Sequence, residues 1–189
     1  MQKTFTTKSD AETIALGSRL GSRLRGGEFI ALTGDLGGGK TQFTKGIAAG
    51  LGITETIVSP TFTIERIYCS REQSESRTKD ENSSQLRSNN ITLHHFDLYR
   101  TLDDREVAES IKDLSPDDDN IVVVEWPENI AGIVPENSLR VEFKYTDETT
   151  REIVLNSCHP EWERRIQGLD SSEVYPELAE QGQNDEGVK

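Results

Sequence analysis

Glu28-Phe29-Ile30-Ala31-Leu32-Thr33-Gly34-Asp35-Leu36-Gly37-Gly38-Gly39-Lys40-Thr41 is the stretch on which the fold turns. Its first six residues form a short apolar run and read as a buried strand. Its last eight satisfy G-x-x-x-x-G-K-[ST]. From Thr41 to Leu51, the residues Phe43, Ile47, Ala48 and Leu51 fall at helical spacing, and Gly50 and Gly52 supply the stop. Strand, glycine loop and helix in that order predict a phosphate site. The glycines let backbone N–H groups face inward, and the helix N-terminus adds partial positive charge. Lys40 is expected to reach the β- and γ-phosphates of a nucleotide, and the Thr41 hydroxyl to ligate Mg²⁺.

Upstream, Ser9-Asp10-Ala11-Glu12 has the form of a capping box, and Ile14, Leu16, Leu20 and Leu24 follow on one face. A first helix is expected from about Asp10 to Arg25. Downstream, Thr56 to Val58 and Phe62 to Tyr68 read as extended segments broken at Ser59-Pro60-Thr61. Ile91 to Asp97 predicts a strand, Asp103 to Ile111 a short acidic helix, and Ile121-Val122-Val123-Val124-Glu125 a buried strand ending in a carboxylate. Leu139 to Tyr145 and Glu152 to Leu155 flank a polar turn and predict a hairpin, with a last helix from Glu161 to Leu169.

The chain has 189 residues, 33% hydrophobic and 29% charged, with a net charge of −13. That length suits one domain, and the polar surplus is concentrated in two places. Between Ser70 and Asn90 only Leu86 is aliphatic, a composition that does not offset its own ordering entropy. It reads as a solvated insertion between two strands, the alternative being a partner-binding arm. Beyond Gln167 there are six acids against the single base Lys189, which reads as a disordered acidic tail. The expected organisation is therefore one domain over residues 1–166, with an insertion at 70–90 and a tail at 167–189.

The acidic balance argues against a broad nucleic-acid-binding surface. No apolar stretch approaches the roughly 18–20 residues of a membrane-spanning helix, and the polar N-terminus carries no signal-peptide core. Cys69 and Cys158 lack metal-ligand spacing and read as free thiols of a reducing cytosol, so a cytoplasmic location is expected.

A phosphate loop of this kind needs a second acid, delivered on a buried strand. Glu125 follows four apolar residues and so would emerge at the carboxyl edge of the sheet, where ligands collect in open α/β folds. Asp97 ends another strand and competes for the role; one acid would contact the metal and the other would act on water. Thr61 lies on the connection where switch-type NTPases sense the γ-phosphate. His94 and His95 alternate across a strand, so at most one faces the site, and a histidine pair without further ligands reads as structural. Trp126 is either core packing or a gate beside the metal. Arg100 reads by default as an exposed ion-pairing residue.

Gly34 to Thr41, Ser59-Pro60-Thr61-Phe62-Thr63, His95-Phe96-Asp97-Leu98-Tyr99-Arg100 and Val124-Glu125-Trp126 occur in the order found in the TsaE (YjeE) family, which the chain resembles from about Phe5 to Leu155. The resemblance implies an α/β, P-loop NTPase-like, three-layer fold with a mostly parallel central sheet flanked by helices. It implies a slow Mg²⁺-dependent ATPase of tRNA threonylcarbamoyladenosine synthesis. That ATPase would act with TsaB and TsaD and touch tRNA only through the complex; separately, the chain is expected to be a monomer on its own. Matched residue by residue, Leu36, Gly37, Gly38, Gly39, Lys40, Thr41 and Gln42 would hold the nucleotide. Thr41 and Glu125 would hold Mg²⁺, and Asp97, Glu125 and Thr61 would be catalytic. Ser9 (or Asp10) and Arg151 fall near the family's outer nucleotide contacts. The insertion and the tail depart from the family pattern.

Three other readings compete. A metabolite or nucleoside kinase on the same loop would need an arginine-rich lid, whereas Asp103 to Asp119 is acidic. A GTP-driven switch would need an Asn-Lys-x-Asp base-reading element, which the sequence lacks. A nucleotide-stabilised binding module would need no turnover.

Overall fold

The computed structural model describes residues 1–70, 91–114 and 119–169. In chain order the elements are β1 (Gln2–Thr7), α1 (Asp10–Gly21), β2 (Glu28–Gly34), α2 (Lys40–Gly50), β3 (Glu65–Cys69), β4 (Thr92–Asp97), α3 (Arg105–Leu114), β5 (Asn120–Glu125), a single 3₁₀ turn (Pro127–Asn129), β6 (Leu139–Tyr145), β7 (Arg151–Asn156) and α4 (Pro160–Gln167). The strands form one seven-stranded sheet in the order β1-β7-β6-β2-β5-β4-β3. Its centre, β6-β2-β5-β4, is parallel, and β7, β1 and β3 run antiparallel to their neighbours. The mostly parallel sheet expected from the resemblance is thus the middle of a mixed one.

Alternation along the central strands separates two cores. On one face Ile30, Leu32, Leu93, Ile121 and Val123 pack against Leu16 and Leu20 of α1, Phe43 and Ile47 of α2, and Trp162 and Ile166 of α4. On the other, Phe29, Ala31, Phe96, Val122 and Val124 meet Ala108 and Ile111 of α3 together with Ile130 and Ile133. Burial on both faces is why these strands read as continuous apolar runs. The result is helix, sheet, helix in three layers, with α1, α2 and α4 on one side.

The first helix begins at the expected cap, but the return bond from Glu12 goes to Lys8, one residue before the cap, rather than to Ser9. Ser9 Oγ accepts from Glu12 N at 3.2 Å, and Glu12 Oε2 accepts from Lys8 N at 2.7 Å. It ends at Gly21 rather than Arg25, although Leu24 is still buried in the tighter turn that follows. Thr56 to Val58 pairs with no strand among the described residues. The segment from Phe62 begins as a turn, with Phe62 itself 83% exposed, before β3 starts at Glu65. Strand β1 was not expected. It is a polar edge strand that buries only Phe5 and Thr7.

The packed core continues to Leu169, past the position where composition places the start of the tail. Lys3 Nζ donates to the carbonyls of Ile166, Gln167 and Leu169, and Arg23 to those of Arg165 and Gly168. These cations satisfy the open end of α4. Residues 71–90, all but the first residue of the expected insertion, and 170–189, the remainder of the expected tail, lie outside the described residues. Flanking the former, Ser70 N donates to Ile91 O at 2.9 Å, which extends the β3–β4 pairing to the ends of that segment.

Helices α1 and α2 cross at glycines spaced by four on each: Gly17 and Gly21, Gly46 and Gly50. A Cβ on Gly46 would lie 2.1 Å from the Ile14 carbonyl oxygen, and one on Gly50 2.2 Å from that of Ser18. The backbones touch, and that contact seats α2, with the glycine loop at its head, against the sheet. Gly46→Ala should therefore destabilise the protein by about 1–3 kcal/mol through overpacking, despite the gain in helix propensity. Urea unfolding measures it; an unchanged midpoint contradicts the close crossing.

Candidate functional site

The site is built where β2 ends and α2 begins. Gly39, the residue before α2, sits at φ 102°, and no side chain caps the first turn. Gly37 has φ 75°, which side-chain-bearing residues rarely adopt, and a Cβ there would displace Tyr145 Oη, 2.6 Å away. That hydroxyl donates to Leu36 O at 2.8 Å and so pins the loop to β6. The consequence is a helix N-terminus whose N–H groups are left for an anion.

Lys40 is buried and donates to the carbonyl oxygens of Gly34 (2.6 Å) and Asp35 (2.8 Å), with its ammonium 4.0 Å from the centre of the Trp126 ring. Burial pushes its pKa below the ordinary 10.5, against the opposing pull of Glu125, Glu128, Asp97 and Asp35.

Strand β5 delivers Glu125, buried, as expected from the Val run. Thr41 Oγ1 donates to its Oε1 at 2.9 Å and lies 3.2 Å from its Oε2, and His95 Nε2 lies 2.8 Å from the same Oε1. Beside it in register on β4 is Asp97, also buried. Asp97 Oδ2 accepts from Ser59 Oγ (2.7 Å) and from Thr61 Oγ1, and Asp97 Oδ1 accepts from Tyr99 N at 3.0 Å. After Glu125 the chain leaves the sheet through Trp126, whose left-handed φ of 59° is uncommon for a bulky residue. That turn lays its ring between Lys40 and Tyr99, 5.0 Å from the latter.

These groups line an open cleft of about 260 Å³. It brings together Leu36 to Gln42, Thr61, Asp97 and Glu125 with Asp10 and Trp126, all named from sequence, and adds Lys45, Ser59 and Tyr99. Gln42 Nε2 donates to Asp10 Oδ2 at 2.7 Å. Ser9 is set back as the cap of α1. Arg151 is set back too: its guanidinium stacks 4.2 Å from the Tyr145 ring and reaches the loop only through that side chain. His94 turns away to Glu65 on β3, at 2.8 Å. Arg100 stacks on Phe62 at 4.5 Å and pairs with no acid among the described residues.

Two roles escaped the sequence reading. His95 precedes Asp97 by two residues on a strand and so shares its face, a signal that was present but outweighed by the usual structural role of a lone histidine. Ser59 offered only a turn residue.

The donor set suits a hard divalent cation. Thr41 and Glu125 present oxygen only, and among the described residues no group of three or more His, Cys, Asp or Glu side chains could hold a metal alone. Mg²⁺ takes few protein oxygens and fills its octahedron with water and phosphate, which fits a hydroxyl and one carboxylate at the mouth of a phosphate loop. The Thr41 oxygen can give its hydrogen to Glu125 and still offer a lone pair.

Fold and site together define a P-loop NTPase-like α/β protein. The family model for threonylcarbamoyl adenosine biosynthesis protein TsaE matches residues 7–153. The chain belongs to the TsaE family. It is 31% identical over 172 residues to the Bacillus subtilis tRNA threonylcarbamoyladenosine biosynthesis protein TsaE, covering 89% of this chain and 94% of that one. It is 36% identical over 160 residues to the Nostoc protein of the same name, covering 80% and 83%. A crystal structure of Bacillus subtilis YdiB superposes with a TM-score of 0.66 at 28% identity, over 89% of this chain and 94% of that one. Among the described residues no helix is long and apolar enough to cross a membrane.

Proposed function

We propose that this cleft binds Mg²⁺–ATP and hydrolyses it slowly. In this reading the protein is the cytoplasmic ATPase accessory of tRNA threonylcarbamoyladenosine synthesis, working with TsaB and TsaD homologues. The observation that carries the nucleotide reading is the Thr41–Glu125 pair, 2.9 Å apart at the head of the glycine loop. The pathway and partners rest on family membership.

The residues divide the work. Lys40 would exchange the Gly34 and Asp35 carbonyls for phosphate oxygens, and the N–H groups of residues 36–42 would take the remaining phosphate charge. Thr41 and Glu125 would hold the cation, which when bound neutralises phosphate charge and polarises the bond that breaks. Asp97, bonded to two hydroxyls, would orient a water and accept its proton as that water attacks the γ-phosphorus and ADP leaves. Thr61, on the same oxygen, would couple that step to the Ser59–Thr63 segment. Trp126 and Tyr99 would shield the reacting phosphate from bulk water.

One consequence concerns pH. Phosphate favours the charged form of Lys40, whereas burial in the free protein disfavours it. Binding therefore raises the Lys40 pKa. ATP affinity should be flat below the depressed free-state value and then fall by up to about tenfold per pH unit above it, with one proton taken up on binding. Calorimetry from about pH 7 to about pH 10, in buffers of different ionisation enthalpy, reads both quantities. Affinity that rises with pH contradicts the role given to Lys40.

The pathway assignment is tested by co-purification with TsaB and TsaD homologues with and without ATP, and by mass spectrometry of tRNA nucleosides from depleted cells. Nucleotide-dependent capture and loss of threonylcarbamoyladenosine are expected. Normal levels of the modified nucleoside after depletion contradict the assignment.

A further inference from the structure

We propose that His95 is a positioning residue for Glu125: it commits one carboxylate oxygen to the protein and leaves the other to the cation. The proposal rests on the Mg²⁺–ATP reading above. Strands β4 and β5 run side by side, with His95 opposite Val123 and Asp97 opposite Glu125. The His95 side chain is therefore carried on the face that meets α2, and it is wholly buried. Its Nε2 lies 2.8 Å from Glu125 Oε1, which also accepts from Thr41 Oγ1 at 2.9 Å. Oε2 has only the longer 3.2 Å approach of that same hydroxyl.

Opposite a carboxylate oxygen, which only accepts, Nε2 must carry the hydrogen. Nδ1 has no hydrogen-bond partner among the described residues. An unpartnered ring nitrogen in this interior is a cost that an apolar residue of similar size would avoid. The one bond the imidazole makes among the described residues is to Glu125, so what it contributes to the site passes through Oε1. Two donors on Oε1 fix the carboxylate plane and leave Oε2 as the oxygen with lone pairs to spare, on a residue that lines the cleft. Outer groups of this kind orient a metal-binding carboxylate and tune its affinity.

The test compares ATP binding with Mg²⁺ and with EDTA, by calorimetry, for the wild type, His95→Leu and His95→Gln. The readout is the ratio of the two dissociation constants, which a purely structural residue would not alter. His95→Leu should shrink the Mg²⁺ enhancement by about 10- to 100-fold while affinity in EDTA stays within about twofold. His95→Gln, whose amide N–H can donate where Nε2 does, should restore most of it. If His95→Leu does not fold by circular dichroism, His95→Asn replaces it, since its amide is too short to reach Oε1 and should likewise lose the enhancement. An unchanged ratio in the Leu or Asn variant, an equal fall under both conditions, or a Gln variant as impaired as Leu overturns the proposal. A wild type with no Mg²⁺ enhancement sinks the nucleotide reading itself, before any variant is compared.

Discussion

Lys40→Ala should lower ATP affinity by roughly 10- to 150-fold and leave the fold standing, since losing a charged contact to phosphate costs about 1.5–3 kcal/mol. Among the described residues the ammonium donates to two carbonyls of its own loop and sits against Trp126. Water can replace it there, and the α1–α2 crossing and both cores are untouched. Calorimetry gives the affinity, and a thermal melt shows whether the domain survives. ATP binding that is unchanged in a folded variant contradicts the phosphate site.

Glu125 and Asp97 should separate into different defects. Glu125→Ala removes the carboxylate that pairs with Thr41, so the Mg²⁺-dependent part of ATP affinity should fall by about 10- to 100-fold and hydrolysis should stop. It also strips partners from Thr41 and His95 in a buried setting, a loss of about 1–3 kcal/mol of stability. Measurements therefore belong well below the variant's melting temperature. Asp97→Ala should leave the Mg²⁺ dependence in place and lower hydrolysis by about 10²- to 10⁴-fold, the usual range for a lost general base. If Asp97→Ala abolishes the Mg²⁺ dependence and Glu125→Ala does not, the two roles are exchanged.

What could be read in the sequence was what local pattern controls. The apolar run before Gly34, the helical spacing after Lys40 and the four-residue run before Glu125 each impose one element with one exit point. Three such elements suffice to bring Thr41 and Glu125 to the same edge of a sheet. The polar strand β1 escaped because an edge strand needs only alternate burial, and here only Phe5 and Thr7 are buried. Its pairing with β7 comes from the register, which no local signal carries. The crossing of α1 and α2 was hidden for a related reason. Gly17, Gly21, Gly46 and Gly50 look like poor helix residues until each pair is seen to face the other's backbone.

The cleft shows the same division. Leu36 to Gln42 lie along one continuous segment, so their grouping is fixed by the loop itself. Asp97 and Glu125 could be named because both end strands, but their adjacency depends on β4 lying next to β5. The links that run sideways, His95 to Glu125 and Ser59 to Asp97, are side-chain bonds between distant segments. The outer positions taken from the family resemblance were the least constrained by this chain's own pattern, and Asp10 rather than Ser9 reaches the cleft.

The central claim is that Thr41 and Glu125 bind a divalent cation together with ATP at the glycine loop. Its most direct test is titration of the full chain with ATP in Mg²⁺ and again in EDTA. One saturable site, markedly tighter with Mg²⁺, is predicted. The same affinity in both, or no saturable binding with Mg²⁺ present, would contradict it.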